Sequence, residues 1–209
     1  MSNFKTLNYV LISDGSSDKA LLSIIDFTLA RFHPDTIFSG DRAELSFFNP
    51  QPKTLVEKIN NTLFYYEPDI IFIHRDAEKE TLQQRDLEIQ NAIENVQNFT
   101  YIKIIPIRMT EAWLLTNESA IRIAAENPNG RVKLALPQIS KIESLSDPKQ
   151  TLRNLIIEAS ELKGRRLQKL KRSLSAAIHL VAEHTEDFSK LDQLSAYKHF
   201  EEQIKTLPL

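Results

Sequence analysis

The run Asp69-Ile70-Ile71-Phe72-Ile73-His74 constrains this chain most, and it passes straight into Arg75-Asp76-Ala77-Glu78. Uninterrupted β-branched and aromatic residues suit a strand covered on both faces, and such strands belong to parallel sheets flanked by helices. A strand of this kind delivers the next few residues to the carboxyl edge of the sheet, where open α/β folds bind their ligands. Here those residues are acidic.

The neighbouring segments fit the same architecture. Tyr9 to Ile12 reads as a strand that ends in the polar turn Ser13-Asp14-Gly15-Ser16-Ser17-Asp18, and Lys19 to Arg31 then carries apolar residues at helical spacing. Leu45 to Phe48 reads as a second strand closed by Asn49-Pro50-Gln51-Pro52, and 54–66 as a helix with Thr54 at its N-cap and Pro68 beyond its end. Thr81 to Val96 is charged with helical periodicity, and Tyr101 to Ile107 gives a further buried strand. Alternating β and α elements predict an α/β fold with a largely parallel central sheet flanked by helices.

After Thr110 the texture is helical. The spacing predicts helices over 111–125, over 147–162 with Asp147 as cap and Pro148 at the first position, over 167–184 and over 196–205. Residues 1–125 therefore read as an α/β core carrying an acidic metal site. Residues 126–209 read as a helical C-terminal half packed on the sheet, with a basic segment at 163–172.

Three predicted strands bring acids to one edge: Asp14 and Asp18 after the first, Asp76 and Glu78 after the central one, and Glu111 after the last. Singly, each has a structural reading. Asp14-Gly15 is a common turn dipeptide, Asp18 and Glu111 complement helix N-termini, and Asp76 and Glu78 suit a solvated loop. Together, acids converging on one edge repel each other without a cation between them, and ligation by oxygen alone suits Mg²⁺ or Mn²⁺.

Composition removes several alternatives. With no cysteine there is neither a disulfide framework nor a thiolate metal site, and four glycines include no Walker A loop or dinucleotide fingerprint. His33, His179, His184 and His199 have no ligand-like grouping, and Trp113 reads as packing beneath the site. His74 reads as a buried or hydrogen-bonded residue at the strand end, with a ligand role left open. No stretch approaches the ~20 apolar residues of a membrane span, and Met-Ser-Asn-Phe-Lys lacks a signal-peptide core, so a cytoplasmic protein with no membrane partner is expected. Net charge is −2, so any contact with nucleic acid must be local. Lys163-Gly164-Arg165-Arg166-Leu167-Gln168-Lys169-Leu170-Lys171-Arg172 is the segment that meets this demand; it tracks a phosphate backbone or forms a solvated helix face.

The segment Asp14-Gly15-Ser16-Ser17-Asp18 resembles the first Toprim motif, and His74-Arg75-Asp76-Ala77-Glu78 the second. Pro106-Ile107-Arg108-Met109-Thr110-Glu111-Ala112-Trp113-Leu114-Leu115 resembles the third motif of a bacterial family of unknown function with a Toprim-like fold. Asp147-Pro148-Lys149 and Lys163-Gly164-Arg165-Arg166 are similar to that family's later segments. Two residues depart from the Toprim pattern: Asp14 stands where glutamate is usual, and Glu78 where aspartate is usual.

The resemblance implies Mg²⁺- or Mn²⁺-dependent hydrolysis of DNA or RNA phosphodiesters. In that picture Asp14 is a general acid/base or a ligand, and Asp76 and Glu78 are ligands; the convergence of acids on the sheet edge adds Asp18 and Glu111 to the expected metal set. Arg108 assists catalysis by neutralising phosphate, with an ion pair to Glu111 as its structural alternative. Lys19, Arg75, Lys163, Arg165, Arg166 and Lys169 would contact nucleic acid. The resemblance also implies an ATPase partner within an anti-phage defence system. A non-catalytic module regulated by that ATPase, and a small-molecule phosphotransferase or nucleotide hydrolase, are the alternatives, and the sequence leaves a homo-oligomer open.

Overall fold

The computed structural model describes residues 5–96 and 98–208. Its sheet has four strands, all parallel, in the order β2-β1-β3-β4: β1 Lys5–Ile12, β2 Thr36–Arg42, β3 Ile70–His74 and β4 Tyr101–Ile104. The connecting helices are α1 Leu21–Phe32, α2 Leu55–Tyr66 and α3 Leu82–Ile93. The C-terminal layer is α4 Glu118–Ala124, α5 Ile139–Ile142, α6 Pro148–Ser160, α7 Gly164–Arg172, α8 Leu174–Glu183 and α9 Ser195–Lys205. The segment Met-Ser-Asn-Phe, expected to lack a signal-peptide core, lies outside the described residues. Among the described residues no helix is long and apolar enough to cross a membrane.

Strand alternation divides the apolar residues between two faces. Tyr9, Leu11, Phe72 and Ile104 point to one side, where they pack with α1 and with α4, α6, α8 and α9 in a continuous core. Val10, Ile12, Ile71 and Ile73 point to the other, against Ile59 of α2 and Ile89 and Ile93 of α3. Every residue of β3 is buried, as its uninterrupted apolar run requires. The chain leaves β1 along one face and β3 along the other, so the strand order reverses between these two neighbours. The crevice beyond their carboxyl ends is a topological switch point.

Several sequence expectations need correction. Leu45–Phe47 is a short 3₁₀ turn, and the strand beside β1 is instead Thr36–Arg42. That strand lies at the sheet edge and is largely exposed, so it carries no long apolar run to signal it. Its Gly40 pairs in register with Tyr9, whose ring crosses the glycine so closely that a Cβ there would lie 1.9 Å from Tyr9 Cζ. β4 stops at Ile104, two residues before Pro106, which has no N–H for a ladder. The helix expected over 111–125 is a 3₁₀ turn at Thr110–Leu114 followed by α4, because Asn117 accepts from the Ala120 N–H and caps a new start. The helix expected over 167–184 breaks at Ser173 into α7 and α8. The caps at Thr54, Thr81 and Asp147 each accept a hydrogen bond from the backbone three residues on.

Candidate metal centre

Ile12 and Ile73 are register partners, so β1 and β3 end level and the loops after them meet at the switch point. Asp14 lies two residues past β1 and Asp76 two residues past β3. The loop after β3 is zipped to the loop after β4 by backbone bonds: Arg75 N–H donates to Ile104 O, Ala77 N–H to Pro106 O and Glu78 N–H to Arg108 O. Glu78 and Arg108 both adopt positive φ, 54° and 69°, and the Arg108 guanidinium donates back to Glu78 O at 3.2 Å. Arg108 thus buttresses the acidic loop, and its alternative as an ion-pair partner of Glu111 is not adopted.

The loops enclose a cleft of about 260 Å³ lined by Asp14, Gly15, Asp18, His74, Arg75, Asp76, Glu78, Arg85 and Lys149. A larger groove of about 590 Å³ along Phe48, Pro50 and Tyr65 is poorer in chemistry, since its one carboxylate, Glu57, is committed to the N-cap of α2. His74, 3% exposed, lines the cleft. Its Nε2 lies 3.2 Å from Asp76 Oδ1 and 3.1 Å from Thr110 Oγ1, while its buried Nδ1 makes no hydrogen bond and lies 3.5 Å from Asp18 Oδ2. Burial alone would lower the imidazole pKa; the carboxylates of Asp18 and Asp76 outweigh it and push it up to about 9. Asp18 also accepts from the Gly15 N–H at 2.8 Å, which closes the turn after β1. Burial would raise the Asp18 carboxyl, yet His74 holds it below its ordinary value.

Asp14 is gripped by Lys58 of α2 and by Arg75, whose guanidinium also donates to Glu88. Burial opposes ionisation of Asp14, but these two cations keep its carboxyl below the usual range. Glu111, 2% exposed, does not reach the cleft wall directly; Lys149 Nζ lies 2.8 Å from its Oε1 and itself lines the cleft. Trp113 is 1% exposed and packs edge-on against Tyr197 in the helical core.

The structure therefore brings together Asp14, Asp18, Asp76, Glu78 and Arg75, and links Glu111 to them through Lys149. Lys19 is exposed on the turn before α1 and does not line the cleft. Lys163, Arg165, Arg166 and Lys169 lie beyond the opposite end of α6 from Lys149. Sequence reasoning gave no role to Thr110, Lys58, Arg85 or Lys149. Only Lys149 leaves a signal: a lysine in the first turn of a helix opposes the macrodipole and so implies an acidic partner.

One oxygen each from Asp18 and Asp76 and a nitrogen of His74 lie within 4.8 Å of one another. Two carboxylates from adjacent loops and an imidazole nitrogen form a donor set that fits a divalent cation once His74 gives up its proton. Carboxylates suit Mg²⁺ and Mn²⁺, and imidazole ligation favours the later metals of the series. Comparison of the chain with protein-family models, with curated proteins and with solved structures finds no match in any of the three.

Proposed function

We propose that this protein is a Toprim-type, Mg²⁺- or Mn²⁺-dependent nuclease that hydrolyses phosphodiester bonds of DNA or RNA in the cytoplasm, as the effector of an ATPase-associated anti-phage system. The observation that carries the reading is the grouping of Asp18, His74 and Asp76 at the switch point of a parallel sheet. The ordered motifs between Asp14 and Arg166 add the Toprim resemblance, the defence context and the ATPase partner.

Asp18 and Asp76 would hold the cation, and Glu78 lines the same cleft. Bound there, it would lower the pKa of a water and neutralise charge on the phosphate. Thr110 and His74 orient Asp76 through its Oδ1. Asp14, held ionised by Lys58 and Arg75, suits anchoring or ligation more than proton donation. Arg85 and Lys149 face the same cleft and supply positive charge for a phosphate.

One observation favours a second reading, a non-catalytic module that binds a partner ATPase and is regulated by it. Lys58 and Arg75 at Asp14, His74 between Asp18 and Asp76, and Lys149 at Glu111 already balance most of the acids without a metal. The deciding experiment incubates the full chain, alone and with its ATPase, with DNA and RNA in Mg²⁺, Mn²⁺ or EDTA. Metal-dependent cleavage that Asp76→Asn abolishes while the circular dichroism spectrum is unchanged supports the nuclease. Absence of cleavage under every condition, with defence intact in Asp76→Asn, overturns it in favour of the module.

A further inference from the structure

α7 and the residue before it carry Lys163, Arg165, Arg166, Lys169, Lys171 and Arg172, all exposed, in a chain whose net charge is −2. Among the described residues none of the six forms an ion pair. One acid, Glu126, shares a hollow of about 370 Å³ with Arg166 and Lys169 and pairs with neither. Concentrating like charge without internal compensation costs stability, and an external polyanion relieves that cost. Leu170 is buried in the helical core, and the i, i+4, i+7 spacing sets Arg165, Lys169 and Arg172 as an outward stripe about 10 Å long, at 1.5 Å per residue.

We infer that α7 is a polynucleotide-binding exosite, separate from the acidic cleft. A membrane surface fits less well, because a helix lying on lipid inserts an apolar face, and no large apolar side chain of α7 is exposed. A phosphate backbone needs only the outward cations, and it reads charge without regard to sequence.

The position of α7 adds a requirement on substrate length, which rests on the cleft acting on phosphodiesters. Lys149 lines the cleft at one end of α6, whereas Leu162, Arg166 and Lys169 share a hollow just past its other end. Eleven residues of helix at 1.5 Å each separate the two by about 16 Å. At a rise of 3.4 Å per nucleotide a strand engaging both covers about five nucleotides. Shorter oligonucleotides engage the cleft without the exosite.

The test is fluorescence anisotropy of full-length protein in EDTA with labelled 30-nucleotide single strands and 30-base-pair duplexes, over a salt series. Arg165→Gln/Lys169→Gln/Arg172→Gln is expected to weaken binding at least tenfold at 0.1 M salt. It should also reduce the slope of log K against log salt by about 2 for single strands or 3 for duplex, at 0.7 to 0.9 per phosphate contact. Arg165→Lys/Arg172→Lys keeps the charge and should bind within threefold of wild type. Binding by the triple variant within twofold of wild type overturns the exosite, as does wild-type binding to phosphatidylserine vesicles in place of both oligonucleotides. A cleavage assay separates this inference from the nuclease reading. If cleavage depends on Asp76 and the triple variant still binds and cleaves normally, the exosite fails and the cleft reading stands; if binding depends on α7 and nothing is cleaved, the reverse holds.

Discussion

Replacing His74 by glutamine removes a buried positive charge and keeps a hydrogen-bonding side chain between Asp18 and Asp76. The imidazole pKa is about 9 in the fold against an ordinary value of 6.5. A raised pKa contributes stability that is fully present below pH 6.5 and is lost as pH rises through 9. At 1.36 kcal/mol per unit the contribution is about 3 kcal/mol, and the depressed Asp18 carboxyl is the same interaction seen from its other side, not a second sum. Wild-type stability measured by urea denaturation in EDTA should therefore fall by about 3 kcal/mol relative to His74→Gln between pH 6 and pH 10. With an m-value of about 2 to 3 kcal/mol/M, the gap between the two midpoints should close by about 1 M urea. Using the difference cancels the other histidines and the amino terminus, and the chain has no cysteine to add a thiol titration. Parallel profiles across this range would refute the claim that His74 is charged between the two carboxylates.

Three further outcomes are expected. Lys149→Met strands the buried Glu111 carboxylate, and should cost about 2 kcal/mol in chemical denaturation, below the ~3–5 kcal/mol of a fully buried pair because Lys149 is partly solvated; adding Glu111→Gln should recover most of the loss. Saturating Mn²⁺ should raise the melting temperature, equivalent to about 2.7 kcal/mol at a hundred times its Kd, and Asp18→Asn or Asp76→Asn should abolish the rise; an equal rise in both variants would place the ion elsewhere. Gly40→Ala drives a methyl group into the Tyr9 ring and disturbs its 2.6 Å bond to Asp26, so calorimetry should show a loss of about 2 kcal/mol, and no loss would contradict this packing.

The legible parts of this fold are those where local sequence and tertiary position demand the same thing. β3 was legible because burial on both faces forces an unbroken apolar run, and the caps at Thr54 and Asp147 because a capping side chain acts within three residues. β2 was not, since an edge strand with one exposed face needs no apolar run; its defining contact, Tyr9 over Gly40, joins residues 31 apart in sequence. The acids of the cleft were legible for the same reason as β3, because strand ends fix where the next residues go. Their partners were not. Lys58 reaches Asp14 from α2 through packing that no local pattern encodes, and the position of Lys149 in the first turn of α6 signals an acidic partner without saying that it is Glu111.

Those partners change what the clustered acids imply. Convergent carboxylates in a sequence argue for a cation, because their repulsion needs an opposing charge; in the fold, that charge comes from Lys58, Arg75, His74 and Lys149. A divalent ion entering the cleft therefore competes with bases already present. Its affinity depends on how readily each base gives way. Lys58 and Arg75 are paired with Asp14, and Lys149 is already paired with Glu111, so none of them needs to move far. His74 sits between the two carboxylates that would ligate, and its proton opposes the ion directly. Metal affinity should thus rise with pH towards 9 in wild type and be less pH-dependent in His74→Gln, as titration calorimetry with Mn²⁺ at pH 6.5 and 8.5 would measure. Equal pH dependence in the two proteins would mean that the ion is bound away from His74, and that the charge balance in the cleft is its resting and only state.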